Sequence, residues 1–379
     1  MRFSNRIISM LVLCALVLLG GCKYEINSFA YVTVASTNEV LVVDQKKAEI
    51  IEQIPVGAGP AIIIATPDNK KAYTANWGDN TVSAIDTYAN QATNIAMPGR
   101  PYIIAMAPQG DYVYAGLYPD KIAVIDTQTD TVERIIPSEI FPASMFVSPD
   151  GETLYLATTA VQPGLAWAIS AQTGEITQPL IEVGLAPGWI TMNIDGSKLY
   201  ALNYYSDDVS VIDTEQWMVE ETIPTGEGSR GIIGNVTPDN KTLYVTNFGT
   251  AELIAIDVNE KSKSNSDDTF SKIPLPGRPV GVHFNRLASK LYVTDYGPES
   301  VADEGDTGSV FLNTGVWTST NPGYLSIIHG RTKEIISRVE TPSGPTSVVG
   351  ITKISRKHNS RNPDSEDEME LSAMDTGDE

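Results

Sequence analysis

Seven tyrosines, each inside a short β-prone run, recur as Tyr31, Tyr73, Tyr114, Tyr155, Tyr200, Tyr244 and Tyr292, at intervals of 41 to 48 residues. A fixed period of roughly 20 to 50 residues marks a repeat architecture, in which each unit buries its apolar face only against its neighbours. About ten residues after each Tyr, an alternating strand ends in Asp: Val43-Asp44, Ile85-Asp86, Ile125-Asp126, Ile212-Asp213 and Ile256-Asp257. Ile169-Ser170 and Ile328-His329 are degenerate copies. A carboxylate at that place can accept backbone N–H groups and close an Asx-type turn, a structural role rather than a catalytic one. A third short strand follows, as at 52–57, then Gly/Pro punctuation and a fourth apolar strand. The fourth strand ends in turns such as Thr66-Pro67-Asp68-Asn69 and Ser148-Pro149-Asp150-Gly151, whose second-place Pro and fourth-place Asn or Gly fit a type I turn closed at positive φ.

Four short antiparallel strands per repeat, seven times over, predict an all-β, seven-bladed β-propeller. The strings Leu243-Tyr244-Val245-Thr246-Asn247, Leu291-Tyr292-Val293-Thr294-Asp295 and Val209-Ser210-Val211-Ile212-Asp213-Thr214 resemble the YVTN-repeat propellers of bacterial and archaeal cell surfaces, over about residues 30–351. That resemblance implies the fold strongly and an activity weakly, since the family is mostly of unknown activity, with some members near quinoprotein or cytochrome systems. The first repeat lacks a preceding apolar strand, and 344–351 is such a strand with no Tyr strand after it. Residues 346–351 are therefore expected to supply the innermost strand of the blade completed by 30–56, so that no sheet edge remains at the seam.

The ring is expected between an anchor and a tail. Arg2 and Arg6 precede a 13-residue apolar stretch, Ile7 to Leu19, too short to span a bilayer comfortably. Leu19-Gly20-Gly21-Cys22 resembles a bacterial lipobox. The resemblance implies a signal peptide over 1–21, a diacylated Cys22, membrane attachment through that lipid, and, because Lys23 rather than Asp follows, delivery to the outer membrane. Residues 22–29 read as a lipidated tether, 30–352 as the propeller and 353–379 as a tail. Residues 364–379 contain eight acids and no base, a composition that cannot bury enough apolar surface to order itself.

Composition narrows the chemistry. Three His and two Cys, with Cys14 inside the signal peptide, argue against the usual soft-ligand metal sites and a disulfide framework. A net charge of -21 argues against nucleic acid. No cofactor motif, nucleophile elbow or His pair is present, and His283, His329 and His358 form no site. The loops entering the fourth strands and those leaving the Tyr strands share one face. The first set carries Arg100 (beside Tyr102), Arg230 and Arg278 at equivalent positions; the second carries Trp77, Tyr204, Tyr205, Phe248 and Tyr296, and Trp189 lies just inside a fourth strand. Arg100, Arg230, Arg278, Trp77, Tyr102 and Trp189 are the candidate channel-mouth ligand residues, for a protein or a small anionic ligand, since guanidinium pairs with carboxylate or phosphate bidentately. Pairing of each Arg with a neighbouring acid, and packing of each ring between blades, are the structural alternatives.

One long insertion, 297–321, falls on this face and reads as either a lid or a loose flap. Its Asp303-Glu304-Gly305-Asp306 lacks the alternate-residue oxygens of a calcium loop and reads as solvated charge. A polar excess at 258–269 falls on the opposite face. The expected role is a monomeric binding or scaffold module without catalysis. The rival is an enzyme on a small anionic or sugar-like substrate in the channel, lactonase-like or linked to a quinoprotein or dehydrogenase. Seven-bladed sugar lactonases are distant look-alikes, and no matching residue set carries their activity to this chain.

Overall fold

The four residues around each repeat Tyr divide the work of building one blade and joining it to the next. The computed structural model describes residues 24–138, 140–159, 162–258, 270–284, 289–297 and 322–356. The expected lipid site at Cys22, the insertion from 298 to 321, the polar loop from 259 to 269 and the acidic tail lie outside the described residues.

Among the described residues there are seven four-stranded antiparallel sheets. Blade 1 combines β1 (Tyr24–Val34), β2 (Glu39–Asp44) and β3 (Glu49–Pro55); blade 2 is β4 (Pro60–Ala65), β5 (Lys71–Asn76), β6 (Thr81–Asp86) and β7 (Gln91–Ala96). Blade 3 is β8 (Arg100–Met106), β9 (Tyr112–Tyr118), β10 (Lys121–Asp126) and β11 (Thr131–Pro137); blade 4 is β12 (Ser144–Val147), β13 (Thr153–Thr158), β14 (Leu165–Ser170) and β15 (Ile176–Glu182). Blade 5 is β16 (Pro187–Met192), β17 (Lys198–Asn203), β18 (Asp208–Asp213) and β19 (Met218–Pro224); blade 6 is β20 (Gly231–Val236), β21 (Thr242–Asn247), β22 (Glu252–Asp257) and β23 (Phe270–Pro274). Blade 7 is β24 (Pro279–Phe284), β25 (Lys290–Asp295), β26 (Gly323–His329) and β27 (Ile335–Thr341), and the last strand, β28 (Pro345–Arg356), returns to pair with β1. The fold is a seven-bladed β-propeller closed between its first and last strands.

In five blades the repeat Tyr reaches the turn between the third and outer strands of the next blade. Tyr31 donates its hydroxyl to Asn90 Oδ1 at 2.6 Å, Tyr73 donates to Asp130 Oδ1 at 2.6 Å, and Tyr292 to Gln45 Oε1 across the seam. Tyr155 instead stacks on Trp217, and Tyr244 receives Lys333 Nζ at 4.5 Å from its ring. Tyr31, Tyr73 and Tyr292 are wholly buried, so each phenol needs that partner. The receiving turn is shaped by the strand-end residue. Asp86 Oδ1 accepts N–H from Tyr88 and Ala89 at 2.8 Å each, and Asp44, Asp126 and Asp213 do the same for the residues two and three places on. The degenerate copies keep this chemistry. Ser170 Oγ accepts from Gln172 and Thr173, and His329 Nδ1 from Arg331 and Thr332.

Two residues beyond the Tyr, a Thr caps an N–H that a bulge near the start of an inner strand leaves without a ladder partner. Gly281 donates to Thr294 Oγ1 at 2.9 Å and Ile233 to Thr246 Oγ1 at 3.0 Å, beside register shifts in both strands. At the seam, Ser347 N donates to Thr33 Oγ1 at 2.9 Å, and Thr33 and Thr346 share a 2.8 Å hydroxyl contact. Thr346 also donates to Pro60 O at 3.0 Å, tying the closing strand to blade 2. Apolar side chains of adjacent sheets fill the space between them; Tyr200, Leu202 and Val211 of blade 5, for example, pack with Val236, Leu243 and Ile254 of blade 6.

Strand closure follows the expected scheme, with longer strands. β1 starts at Tyr24 and β28 ends at Arg356, beyond the 30 and 352 taken as ring limits. Residues 28–352 form one unit; the ends of these two strands, 24–27 and 353–356, fall in a second.

Deleting 344–352 removes the closing strand and is expected to abolish a cooperative thermal transition by circular dichroism; an unchanged melting temperature contradicts the closure. Tyr73→Phe removes one charge-assisted hydrogen bond and is expected to cost about 2 kcal/mol in chemical denaturation.

Candidate functional site

The loop entering each inner strand and the loop leaving its Tyr strand are joined by backbone hydrogen bonds, so both lie on one face as expected. Trp77 N donates to Gly59 O at 3.1 Å, Phe248 N to Arg230 O at 3.3 Å and Tyr296 N to Arg278 O at 3.0 Å. An Asn three residues after the repeat Tyr supports this junction. Asn247 Nδ2 donates to Thr225 O of the entry loop at 3.2 Å, while Asn76 Nδ2 donates to Thr81 and Ser83 hydroxyls of the third strand at 2.9 and 2.8 Å, and Asn203 Nδ2 to Asp208 and Ser210 at 2.6 and 2.9 Å. Gly57 and Gly184 lie against these amides so tightly that an added Cβ would come within 2.4 and 2.5 Å of their nitrogens, which is why glycine occupies those entry loops.

Each candidate arginine lies over an aromatic ring of the preceding blade. Arg100 is 5.6 Å from the Trp77 ring centroid, Arg230 is 5.8 Å from Tyr204 and Arg278 is 5.4 Å from Phe248. Arg100 is exposed, whereas Arg230 and Arg278 are half-buried. Among the described residues, neither Arg100 nor Arg278 has an acidic partner. A guanidinium held over a ring by cation–π attraction is also the side chain best shaped to pair with a planar anion. Arg230 holds a left-handed backbone, φ 51°, supported by its N–H donating to Asp207 Oδ1 at 2.9 Å.

The six candidate residues divide into three places. Arg100, Trp77 and Tyr102 come together with Tyr118 and Phe141 in a closed circuit of four edge-to-face ring contacts: Trp77–Tyr102 5.5 Å, Tyr102–Phe141 5.3 Å, Phe141–Tyr118 5.5 Å and Tyr118–Trp77 6.2 Å. Tyr102 is buried, which raises its phenol above the ordinary range, whereas Tyr118 is 54% exposed. Arg230 and Arg278 belong to the adjacent blades 6 and 7. Trp189 turns inward, donating Nε1 to Gly234 O at 2.7 Å on the next inner strand.

Trp189 and Tyr102 also help line a cavity of about 20 Å³, with Ile103 of the same strand as Tyr102 and Ile62, Ile232 and Ile233 from two other inner strands. That volume suits a water molecule, not a sugar. No group of three or more potential metal ligands exists among the described residues.

Two participants escaped sequence reading. Tyr118 stands four places after Tyr114, as Trp77 does after Tyr73, so the repeat contained its signal. Phe141, in an irregular loop, had none. Blade 7 also replaces the Asn with Asp295, wholly buried and bonded by Arg338 at 2.9 and 3.2 Å, while the Arg338 guanidinium lies 3.9 Å from the Tyr324 ring centroid. Burial raises the Asp295 pKa, and Arg338 opposes that rise.

No protein-family model matches the chain. Over 147 residues it is 30% identical to a seven-bladed β-propeller protein of Mycobacterium tuberculosis, covering 37% of each. Over 113 residues it is 33% identical to a 6-phosphogluconolactonase of an Enterobacter species, covering 29% of this chain and 33% of that one. The chain spans about a third of the length of these relatives. Among solved structures it is similar to a functionally unknown protein from Desulfotomaculum acetoxidans, with TM-score 0.64 and 13% identity over 85% of this chain and 98% of that one. It is also similar to hydrazine synthase of Kuenenia stuttgartiensis, with TM-score 0.57 and 19% identity over 79% and 96%. These structural likenesses show the fold alone.

The described titratable groups predict a two-step acid response. Burial lowers His283, stacked beside Phe284 and opposite Tyr292, to about 4. The unfolded chain protonates this imidazole near 6.5 and the native one only near 4, so its contribution is complete above 6.5 and lost as pH falls toward 4. The backbone N–H of Thr129 holds Asp126 below the usual range, as that of Gln216 does Asp213; these turns lose stability only at lower pH, as the depressed carboxylates protonate. Denaturation midpoints measured from pH 7 to 3 should show both steps, and His283→Leu should flatten the upper one.

Proposed function

We propose that this chain is a lipid-anchored β-propeller of the bacterial cell envelope, acting as a binding module for a partner that presents carboxylate or phosphate groups. The face carrying Arg100, Arg230 and Arg278 is its recognition surface. The observation that carries the reading is the repeated placement of these arginines over the rings of Trp77, Tyr204 and Phe248. The cation–π contact limits the rotamer freedom of each side chain before binding, and so reduces the entropy lost when an anion pairs with it. Their distribution over blades 3, 6 and 7, together with the small apolar cavity, favours a ligand spread across the face, such as an acidic protein surface, over a small substrate in the channel. The identity to a 6-phosphogluconolactonase covers too little of either chain to favour hydrolysis.

The lipobox-like Leu19-Gly20-Gly21-Cys22 supports attachment to a membrane through an acylated Cys22. The resemblance to cell-surface propellers and Lys23 after the Cys favour the outer membrane.

Partners are sought by co-purification from detergent-solubilised membranes. Arg100→Ala/Arg230→Ala/Arg278→Ala is expected to lose at least about tenfold of the captured partner, with an unchanged melting temperature, because each rim guanidinium contributes of order 1 kcal/mol or more. Full retention by that variant overturns the assignment of the face. Cys22→Ala is expected to abolish incorporation of labelled palmitate; continued incorporation contradicts the anchor.

A further inference from the structure

We propose that the paired ends of β1 and β28 form a membrane-surface contact, with Ile26 and Ile354 set at the headgroup boundary of an anionic bilayer. This rests on the reading of Cys22 as the lipid anchor.

Three observations converge on this short segment. Both strands are longer than their counterparts: β1 has 11 residues where the Tyr strands of blades 2 to 7 have 6 or 7, and β28 has 12 where the other inner strands have 4 to 7. Secondly, the extra length is amphipathic without a covering. Ile26 is 62% exposed, the highest value among the large apolar side chains described, and Ile354 is 49% exposed. Thr33 meets Ser347 across this strand pair. Ala35 N also donates to Gly344 O, so the strands run antiparallel, and Ile26 near the start of β1 and Ile354 near the end of β28 fall at the same end of the pair. Thirdly, the charge reverses locally. In a chain of net charge -21, residues 353–361 hold Lys353, Arg356, Lys357 and Arg361 and no acid; Lys23 follows Cys22, and Glu25 is the one acid between 22 and 28.

Distance selects the occupant. Four residues separate Ile26 from Cys22, a reach of at most about 14 Å when extended. An acylated Cys22 therefore confines Ile26 to the neighbourhood of the headgroups. Exposed isoleucines there can enter the acyl boundary, and the basic composition of the flanking sequence favours an anionic surface. A protein partner for the same pair would have to work within that distance of the bilayer.

The test uses the full lipidated chain, purified from membranes and placed in vesicles of phosphatidylcholine alone or with about one-third phosphatidylglycerol, a content chosen to give the anionic surface potential that attracts basic segments. Acylated Cys22 has no free thiol and Cys14 leaves with the signal peptide, so an introduced Cys takes an environment-sensitive fluorophore specifically. Ile354→Cys and Ile26→Cys are labelled separately, with Leu180→Cys on β15 as an exposed control; matched melting temperatures exclude misfolding. Blue-shifted emission at 354 and 26, quenching by doxyl-labelled lipid, and a larger effect with phosphatidylglycerol are expected, with no change at 180. Vesicle flotation with water-like emission at both sites overturns the contact and leaves the anchor standing. Failure of the chain to float defeats the anchor, and this proposal with it. A shift in native membranes that is absent from pure lipid identifies a protein occupant and also overturns the proposal.

Discussion

The reach of the repeat tyrosine to a turn of the next blade, by its hydroxyl from Tyr31, Tyr73 and Tyr292, is the interaction on which the ring depends. A single four-stranded sheet cannot bury both of its faces, so a blade is stable only where its neighbour is held at a fixed distance and angle. The Tyr31 and Tyr73 contacts do this with a polar bond at the end of an apolar ring, joining directional and area-dependent stabilisation in one residue. Where Tyr155 and Tyr244 replace the bond by stacking on Trp217 or beneath Lys333, the same two places remain in contact. The chemistry varies while the span is kept.

Around that Tyr, the string Tyr-Val-Thr-Asn acquires a physical reading. Tyr joins blades, Thr satisfies the N–H left over by an inner-strand bulge, and Asn braces the end of the Tyr strand, against the third strand at Asn76 and Asn203 and against the entry loop at Asn247. The Val between Tyr and Thr fills the space between sheets, as Val245 does. The motif is thus a set of instructions for geometry, which explains why it identifies a fold and leaves chemistry open. Asp295 departs from the pattern: its buried carboxylate requires Arg338, and the pair sits where the long insertion leaves blade 7.

Blade number, strand order, ring closure and the face shared by the entry loops were legible from the sequence because each depends on local, period-bound residues. Ser170 and His329 show where local reading stopped short: both looked like losses of the turn Asp, yet an oxygen or an imidazole nitrogen accepts the same two N–H groups. The site was legible only in part. Equivalent positions in the repeat placed Arg100, Arg230 and Arg278 on one face, but radial symmetry does not bring side chains from blades 3, 6 and 7 to one point. Nor could it foresee that Trp189 would bond Gly234 of the next inner strand, or that Phe141 would complete the circuit around Tyr102.

The bond between Thr33 and Thr346 joins residues 313 positions apart. During synthesis, the first blade therefore waits without its inner strand until nearly the whole chain has emerged. Contacts of such separation form late and slowly, because the intervening chain must be ordered before they are rewarded. Six blades can assemble in sequence, but the edge at β1 stays open to any other extended strand until β28 arrives. Until then the hydrogen-bonding edge of β1 has no partner of its own, so the arrival of the final strand converts a chain that can still pair with a stranger into one that can pair only with itself.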